Sequence, residues 1–198
     1  MEIGKLLKYS LIAAILIVIA FILIVVGVAS PGWVYYNGIN YGIRLQDYDL
    51  AYSSESSARQ AAYALCVIST LGAATALTAV SIDVLLQLLN KMNETTTKIL
   101  PLVTLIAANV GGGFGIIGSI IHVAWYASKY SGTSSSSTLY NSLSNSLSYS
   151  YSLSNSLSTG VKYIPGYSFF LTIIGSIVLI AGGALAKKAS KGGHIGGV

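Results

Sequence analysis

The charged residues are unevenly spaced along the chain, and the intervals between them are long and apolar. No Asp, Glu, Lys or Arg occurs in residues 9–43, 60–82, 99–128 or 163–186. A bilayer core about 30 Å thick is crossed by roughly 20 helical residues, and each interval is long enough. The pattern predicts four transmembrane helices, at about residues 7–29, 60–87, 100–126 and 164–186.

The first apolar stretch could also be a secretory signal peptide. It is longer than the apolar core of a signal peptide, and no small-residue cleavage pattern follows clearly before Pro31-Gly32-Trp33. We therefore predict an uncleaved membrane helix.

Composition supports an integral membrane protein. Of the 198 residues, 54% are hydrophobic and only 9% are charged, whereas about 25% are charged in soluble domains. Such a small charged fraction does not cover a water-soluble surface of this size. The predicted fold class is an all-α integral membrane protein, with residues 1–198 forming a single membrane domain built on a four-transmembrane-helix bundle.

Lysines flank the helices on one side, and this bias predicts the orientation. The lysines of this side are Lys5, Lys8, Lys91, Lys98, Lys187, Lys188 and Lys191. We expect a multi-pass protein of the cell membrane, with both termini and the tail 187–198 cytoplasmic and the loops 30–59 and 127–163 outside. The net charge of +5 suits anionic lipid headgroups. The basic residues are too widely spaced, and too rarely accompanied by aromatic residues, to indicate nucleic-acid binding.

The first outer loop has the pattern of a β-hairpin. Trp33 to Tyr36 are good strand formers, and Asn37-Gly38 is a strong signal for a two-residue turn. Apolar and polar residues then alternate from Ile39 to Gln46, as in a half-buried strand. We expect the hairpin to lie on the membrane with Trp33 at the interface.

The second outer loop contains "NSLSNSLSYSYSLSNSLS" at 141–158, in which every even position is Ser. As a strand, it would place all serines on one face and Leu, Asn and Tyr on the other. The alternative is a disordered serine-rich loop. If folded, the two loops offer a contact surface whose candidate residues are Trp33, Tyr35, Tyr41, Leu143, Leu147, Tyr149 and Tyr151.

Small residues in the helices predict close helix–helix packing. The candidate packing residues are Gly111, Gly115, Gly118, Gly175 and Gly182. They could pack the bundle internally or form the interface of a homo-oligomer.

Little in the sequence indicates chemistry, and the predicted helices hold few polar residues. Asp83 lies near the inner end of its helix, where we expect it to reach water in a structural role. His122 is expected to be a hydrogen-bonded packing residue and Cys66, the single cysteine, a small core residue. We predict no catalytic, metal or cofactor site, and no enzymatic activity.

Several segments resemble the claudins and the related peripheral myelin and epithelial membrane proteins. "QAAYALCVIS" (60–69) is similar to the start of the second claudin helix, "AWYASKY" (124–130) to the end of the third, and "GYSFFLTIIGSIVLIAGGAL" (166–185) to the fourth. "PGW" (31–33) lies where claudins have Pro-x-Trp. The resemblance covers most of the chain, and implies a left-handed four-helix bundle capped by a small extracellular β-sheet from both outer loops.

The chain also departs from that family. The Gly-Leu-Trp motif and the two loop cysteines are absent, and "IRLQDYDLAYSS" (43–54) stands in their place. The departures favour a distant or prokaryotic relative over a true tight-junction protein. The expected function is that of a structural membrane protein, self-associating or making cell-surface contacts through its sheet. The alternative is an auxiliary subunit of a larger membrane complex or a viral envelope component.

Overall fold

The computed structural model describes residues 3–36, 39–43, 57–89, 91, 93–130 and 163–192. Its elements in chain order are α1 (Ile3–Ala29), β1 (Val34–Tyr36), β2 (Ile39–Tyr41), α2 (Ser57–Leu88), α3 (Glu94–Tyr130), β3 (Tyr163–Pro165) and α4 (Tyr167–Gly192). All four helices are long and apolar enough to cross a membrane. The predicted four-helix architecture is therefore present.

The helices run alternately up and down, and each contacts the next. Ser10 near the start of α1 meets Asp83 near the end of α2. Gly118 of α3 packs on Ala62 of α2, and Ser190 of α4 donates a hydrogen bond to the Thr97 carbonyl of α3 at 3.1 Å. The bundle consequently has a sheet end, where the three strands lie, and a lysine end, where Lys8, Lys91, Lys98, Lys187 and Lys188 lie.

Large apolar side chains lie on the outside of this bundle and several polar side chains lie inside it, unlike in a water-soluble bundle. Large exposed apolar side chains occur on every helix, among them Ile15, Ile22, Leu71, Leu85, Ile106, Ile117, Phe170 and Ile177. The interior holds a few large apolar side chains, such as Ile17, Ile24 and Leu179, together with many small residues and polar groups. The buried polar groups include Ser69, Thr104, Ser119, Thr172 and Ser176. Burial of apolar surface in water does not favour this distribution, whereas a lipid environment does.

Two helix starts differ from the predictions for clear local reasons. Helix α3 begins at Glu94 rather than near residue 100, because the Asn93 side chain caps it by accepting a hydrogen bond from the Thr96 N–H at 2.7 Å. Helix α4 begins at Tyr167 rather than residue 164, because Ile164 belongs to β3. Apolar composition alone did not distinguish this strand from the helix that follows it.

The strands form a three-stranded antiparallel sheet in the order β2-β1-β3. Tyr36 is opposite Ile39, so residues 37–38 connect β1 to β2 as the hairpin prediction requires. Val34 is opposite Pro165 and Tyr35 is opposite Ile164. Both predicted loops thus contribute to one sheet. The predicted strand at 141–158 lies outside the described residues.

Candidate functional site

Trp33 joins the sheet to the helix bundle. Its side chain is fully buried, and Nε1 donates a hydrogen bond to the Gly27 carbonyl of α1 at 2.8 Å. The last carbonyls of a helix have no partner within the helix, and a buried indole N–H needs an acceptor. The hydrogen bond therefore satisfies both the Gly27 carbonyl and the Trp33 indole N–H. The predicted position of Trp33 at the membrane interface stays a prediction, and the hydrogen bond holds the ring inside the bundle rather than on the exposed surface.

The start of α4 is attached to the same point by its backbone. Gly166 N–H donates to the Trp33 carbonyl at 2.8 Å, and Ser168 N–H donates to the Gly32 carbonyl at 2.9 Å. A Cβ added at Gly166 would collide with the Gly32 carbonyl, so the close approach requires glycine. These contacts fix the position of β1 and β3 relative to α1 and α4.

One face of the sheet is buried and the other is exposed. Val34 is fully buried, whereas the next residue, Tyr35, is 42% exposed, and its cross-strand partner Ile164 is 41% exposed. Successive side chains of a strand point to opposite faces, so Tyr35 and Ile164 share the exposed face. We call this pair the sheet face. It is an apolar surface held in a defined position at the sheet end.

The other residues predicted for the contact surface are less fully defined. The backbone of Tyr41 pairs with Val34 in the sheet, and its side chain lies outside the described part of the structure. Leu143, Leu147, Tyr149 and Tyr151 also lie outside the described residues. Of the predicted set, the described structure places Tyr35 on the exposed face.

The five predicted packing glycines all lie at contacts between helices. A Cβ at Gly111 would lie 3.1 Å from backbone atoms of Ser69, Gly72 and Ala73, and a Cβ at Gly118 would lie 2.9 Å from the Ala62 carbonyl. Gly175 and Gly182 pack in the same way against α1, and Gly115 packs against α2 and α4. These contacts are within one chain, which favours internal bundle packing over a homo-oligomer interface at these glycines.

The bundle interior contains more hydroxyl groups than the apolar pattern of the helices predicts. Ser69 of α2 and Ser176 of α4 both approach the position a Cβ of Gly115 would occupy. Their hydroxyls are buried and have no hydrogen-bond partner among the described residues. Ser119 donates to the Gly115 carbonyl at 2.7 Å. The burial of these serines was indicated in the sequence by their position near the packing glycines, on the helix faces that contact other helices.

His122 lies beneath the sheet, near the end of α3. Its imidazole is fully buried and meets the Trp33 ring edge-on, with the ring centroids 5.3 Å apart, and the Tyr126 ring at 5.1 Å. Neither ring nitrogen has a hydrogen-bond partner among the described residues. The predicted packing role agrees with this position, but the expected hydrogen bond is not seen.

Asp83 is the buried acidic group of the bundle. The side chain is only 4% exposed, so the expectation that it reaches water is wrong. Ser10 of α1 donates to Oδ2 at 3.3 Å, and the Gln87 amide donates to the same oxygen at 2.8 Å. The Gln87 amide also donates to Ser10 Oγ at 2.9 Å. Asp83 therefore belongs to a polar cluster of three residues between α1 and α2.

The described residues contain no group of three or more His, Cys, Asp or Glu side chains that could hold a metal ion. Cys66 is a buried free thiol, packed in the core as predicted. No protein-family model matches the sequence, and no curated protein matches it. The function of the chain is therefore inferred from its own residues and their geometry.

Proposed function

We propose that the chain is a non-enzymatic structural protein of the cell membrane, which spans the bilayer four times and associates with further copies of itself through the sheet face. The observation that carries this proposal is the combination of an apolar bundle exterior with an exposed apolar pair, Tyr35 and Ile164, on a rigidly attached sheet.

Membrane insertion is supported by the position of the side chains. Large Ile, Leu, Val and Phe side chains are exposed along the helices, while Asp83, His122 and several Ser and Thr side chains are buried inside the bundle. In lipid, exposed apolar side chains are favourable and polar groups need partners inside the bundle. The exposed side chains of Lys8, Lys91 and Lys188 lie at one end, so by the positive-inside rule this end is cytoplasmic and the sheet end is outside.

The contact role is supported by the rigidity of the sheet. Trp33, Gly32 and Gly166 hold β1 and β3 against the helix ends by three hydrogen bonds. A rigid surface loses little conformational entropy when it binds, and an apolar pair on it gains from burial. Tyr is also enriched at protein–protein interfaces.

The proposal includes the claudin-like character of the chain. A four-helix bundle with a sheet from both connecting loops is what the resemblance implies. Claudins hold their sheet with a disulfide, which this chain lacks. In this chain the buried Trp33 and its hydrogen bond to Gly27 provide an equivalent attachment.

The test is purification in a mild detergent followed by native mass measurement. We expect a discrete homo-oligomer for the wild type, and dissociation for the double variant Tyr35→Ser, Ile164→Ser. The matched control is Tyr9→Ser, which removes an exposed tyrosine at the lysine end and should leave the assembly intact. Thermal stability of both variants shows whether the fold is retained.

Two results would reject self-association through the sheet face. A monomeric wild-type protein would show that the chain does not self-associate. An oligomer unaffected by the double variant would show that its interface lies outside the sheet face. Stoichiometric co-purification of unrelated subunits would favour an auxiliary subunit of a larger complex.

A further inference from the structure

Asp83 is buried, and the described part of the structure places no cationic partner beside it. It is the only acidic residue between positions 56 and 93, and none of the described lysines or arginines forms an ion pair with it. The nearest charged residue on α1 is Lys8, and the charged residues of α3 and α4 at this end include Lys98, Lys187 and Lys188. Among the described residues, the hydrogen-bond donors to the carboxyl group are Ser10 and Gln87.

The two carboxyl oxygens have different surroundings. Oδ2 accepts hydrogen bonds from both Ser10 and Gln87. Oδ1 is buried and has no hydrogen-bond partner among the described residues. An ionised carboxylate in a low-dielectric interior is strongly unfavourable unless a positive charge neutralises it, and two neutral donors on one oxygen do not supply that charge.

We propose that Asp83, Ser10 and Gln87 form a binding site for a small monovalent cation, either a proton or an alkali metal ion, which is held at Asp83 Oδ1. A proton needs one carboxyl oxygen. An alkali metal ion is coordinated by carboxylate, hydroxyl and amide oxygens, and these three side chains carry one of each kind. The Gln87 amide, whose Nε2 faces Ser10 and Asp83, must turn its oxygen towards the ion to complete this set. The site does not depend on self-association, since all three residues lie within one bundle.

The site has a route to the aqueous phase at the lysine end. Gln87 is only partly buried, α2 ends one residue later at Leu88, and the charged side chain of Lys91 beyond it is exposed. The bound cation can therefore exchange past Gln87 without crossing the bundle. Release would leave an uncompensated negative charge buried between α1 and α2, so occupancy of the site stabilises the packing of these two helices.

The test uses dicyclohexylcarbodiimide on the full chain in detergent or vesicles. This apolar reagent adds to a protonated buried carboxyl group and leaves a stable N-acylurea, which peptide mass spectrometry locates in the wild-type protein. In choline buffer at mildly acidic pH we expect modification of Asp83, with no modification of the same peptide in Asp83→Asn. A water-soluble carbodiimide with an added amine should leave Asp83 unmodified.

Two arms identify the cation. Labelling that falls as the pH rises, and is indifferent to Na⁺ and K⁺ at constant ionic strength, identifies a proton. Labelling that falls when Na⁺ or K⁺ replaces choline at constant pH identifies an alkali metal ion. The proposal is overturned if dicyclohexylcarbodiimide does not modify Asp83 at any pH in choline buffer. It is also overturned if the water-soluble reagent modifies Asp83 as readily as Asp47 and Asp49.

Discussion

The Trp33 indole meets the His122 imidazole edge-on beneath the sheet, with the ring centroids 5.3 Å apart and the ring planes at 78°. Trp33 follows α1 and leads into β1, while His122 belongs to α3. Together with the hydrogen bond from Trp33 Nε1 to the Gly27 carbonyl, this contact places one side chain between two helices and the sheet. Trp33 is therefore the main attachment of the sheet to the bundle.

Substitutions at Trp33 should separate packing from hydrogen bonding. Trp33→Ala removes a large buried side chain, and we expect it to lower the free energy of unfolding by about 3–5 kcal/mol. Trp33→Phe keeps most of the ring but leaves the Gly27 carbonyl without its donor, with an expected loss of about 1–3 kcal/mol. Both are measured by denaturant unfolding in detergent. Equal and negligible losses would contradict the anchoring role.

Glycine substitutions should test a close contact between the backbones of α2 and α3. A Cβ at Gly72 would lie 2.7 Å from the Gly111 Cα, so Gly72→Ala forces the backbones of α2 and α3 apart, at about 1–3 kcal/mol of stability. Gly113→Ala is the matched control, because nothing lies within 4 Å of a Cβ there and Ala has the higher helix propensity. Thermal unfolding in detergent compares the two. A Gly72→Ala protein as stable as Gly113→Ala would contradict the packing.

The hairpin turn should depend on the residue at position 38. The register of Tyr36 with Ile39 leaves two residues for the connection, and two-residue hairpin turns favour positive φ. Gly38→Val should therefore lower the free energy of unfolding by about 1 kcal/mol or more, whereas Gly38→Asn, which tolerates positive φ, should be close to wild type. If both variants unfold at the wild-type temperature, position 38 does not have positive φ.

The orientation of the bundle can be measured with single cysteines in a Cys66→Ala background. An impermeant thiol reagent should label Tyr35→Cys at the sheet end on intact cells, and Ser136→Cys in the second loop as well. Lys188→Cys should react only after permeabilisation, and Cys66→Ala alone should not react. Labelling of Lys188→Cys on intact cells, with the other two protected, would reverse the proposed topology.

The helices and the hairpin were predictable because their signals are local. Long charge-free stretches define the spans, and Asn37-Gly38 between strand formers predicts the β1–β2 pairing. The start of α4 was misplaced because β3 is as apolar as the helix after it. Its pairing with β1 joins residues distant in sequence.

The burial of Asp83 and Trp33 could not be predicted in the same way. Asp83 is enclosed because Ser10 of another helix lies opposite it, and the sequence does not specify which positions of α1 and α2 face each other. Trp33 is enclosed because the end of α1 offers a carbonyl and α3 offers His122. Both sites are products of helix packing rather than of local sequence.

The serine-rich stretch at 141–158 stays a prediction, and we expect part of it to join the sheet as a strand. Its period-2 pattern is unbroken, and the loop that contains it ends in β3, which already pairs with β1. Attachment at both ends, to α3 and α4, lowers the entropy lost on ordering. The outer strands of the described sheet, β2 and β3, present backbone groups that a further strand can pair with.

Two quadruple variants test the apolar and the serine face separately. The first changes Leu143, Leu147, Leu153 and Leu157 to Ser, and the second changes Ser144, Ser148, Ser152 and Ser156 to Thr. The leucine variant should lose stability or association, because its apolar face packs on the sheet or on a second copy. The threonine variant should be tolerated, because Thr is a better strand former than Ser. Fast amide exchange throughout 141–158, with no effect of either variant, would identify the stretch as a disordered loop.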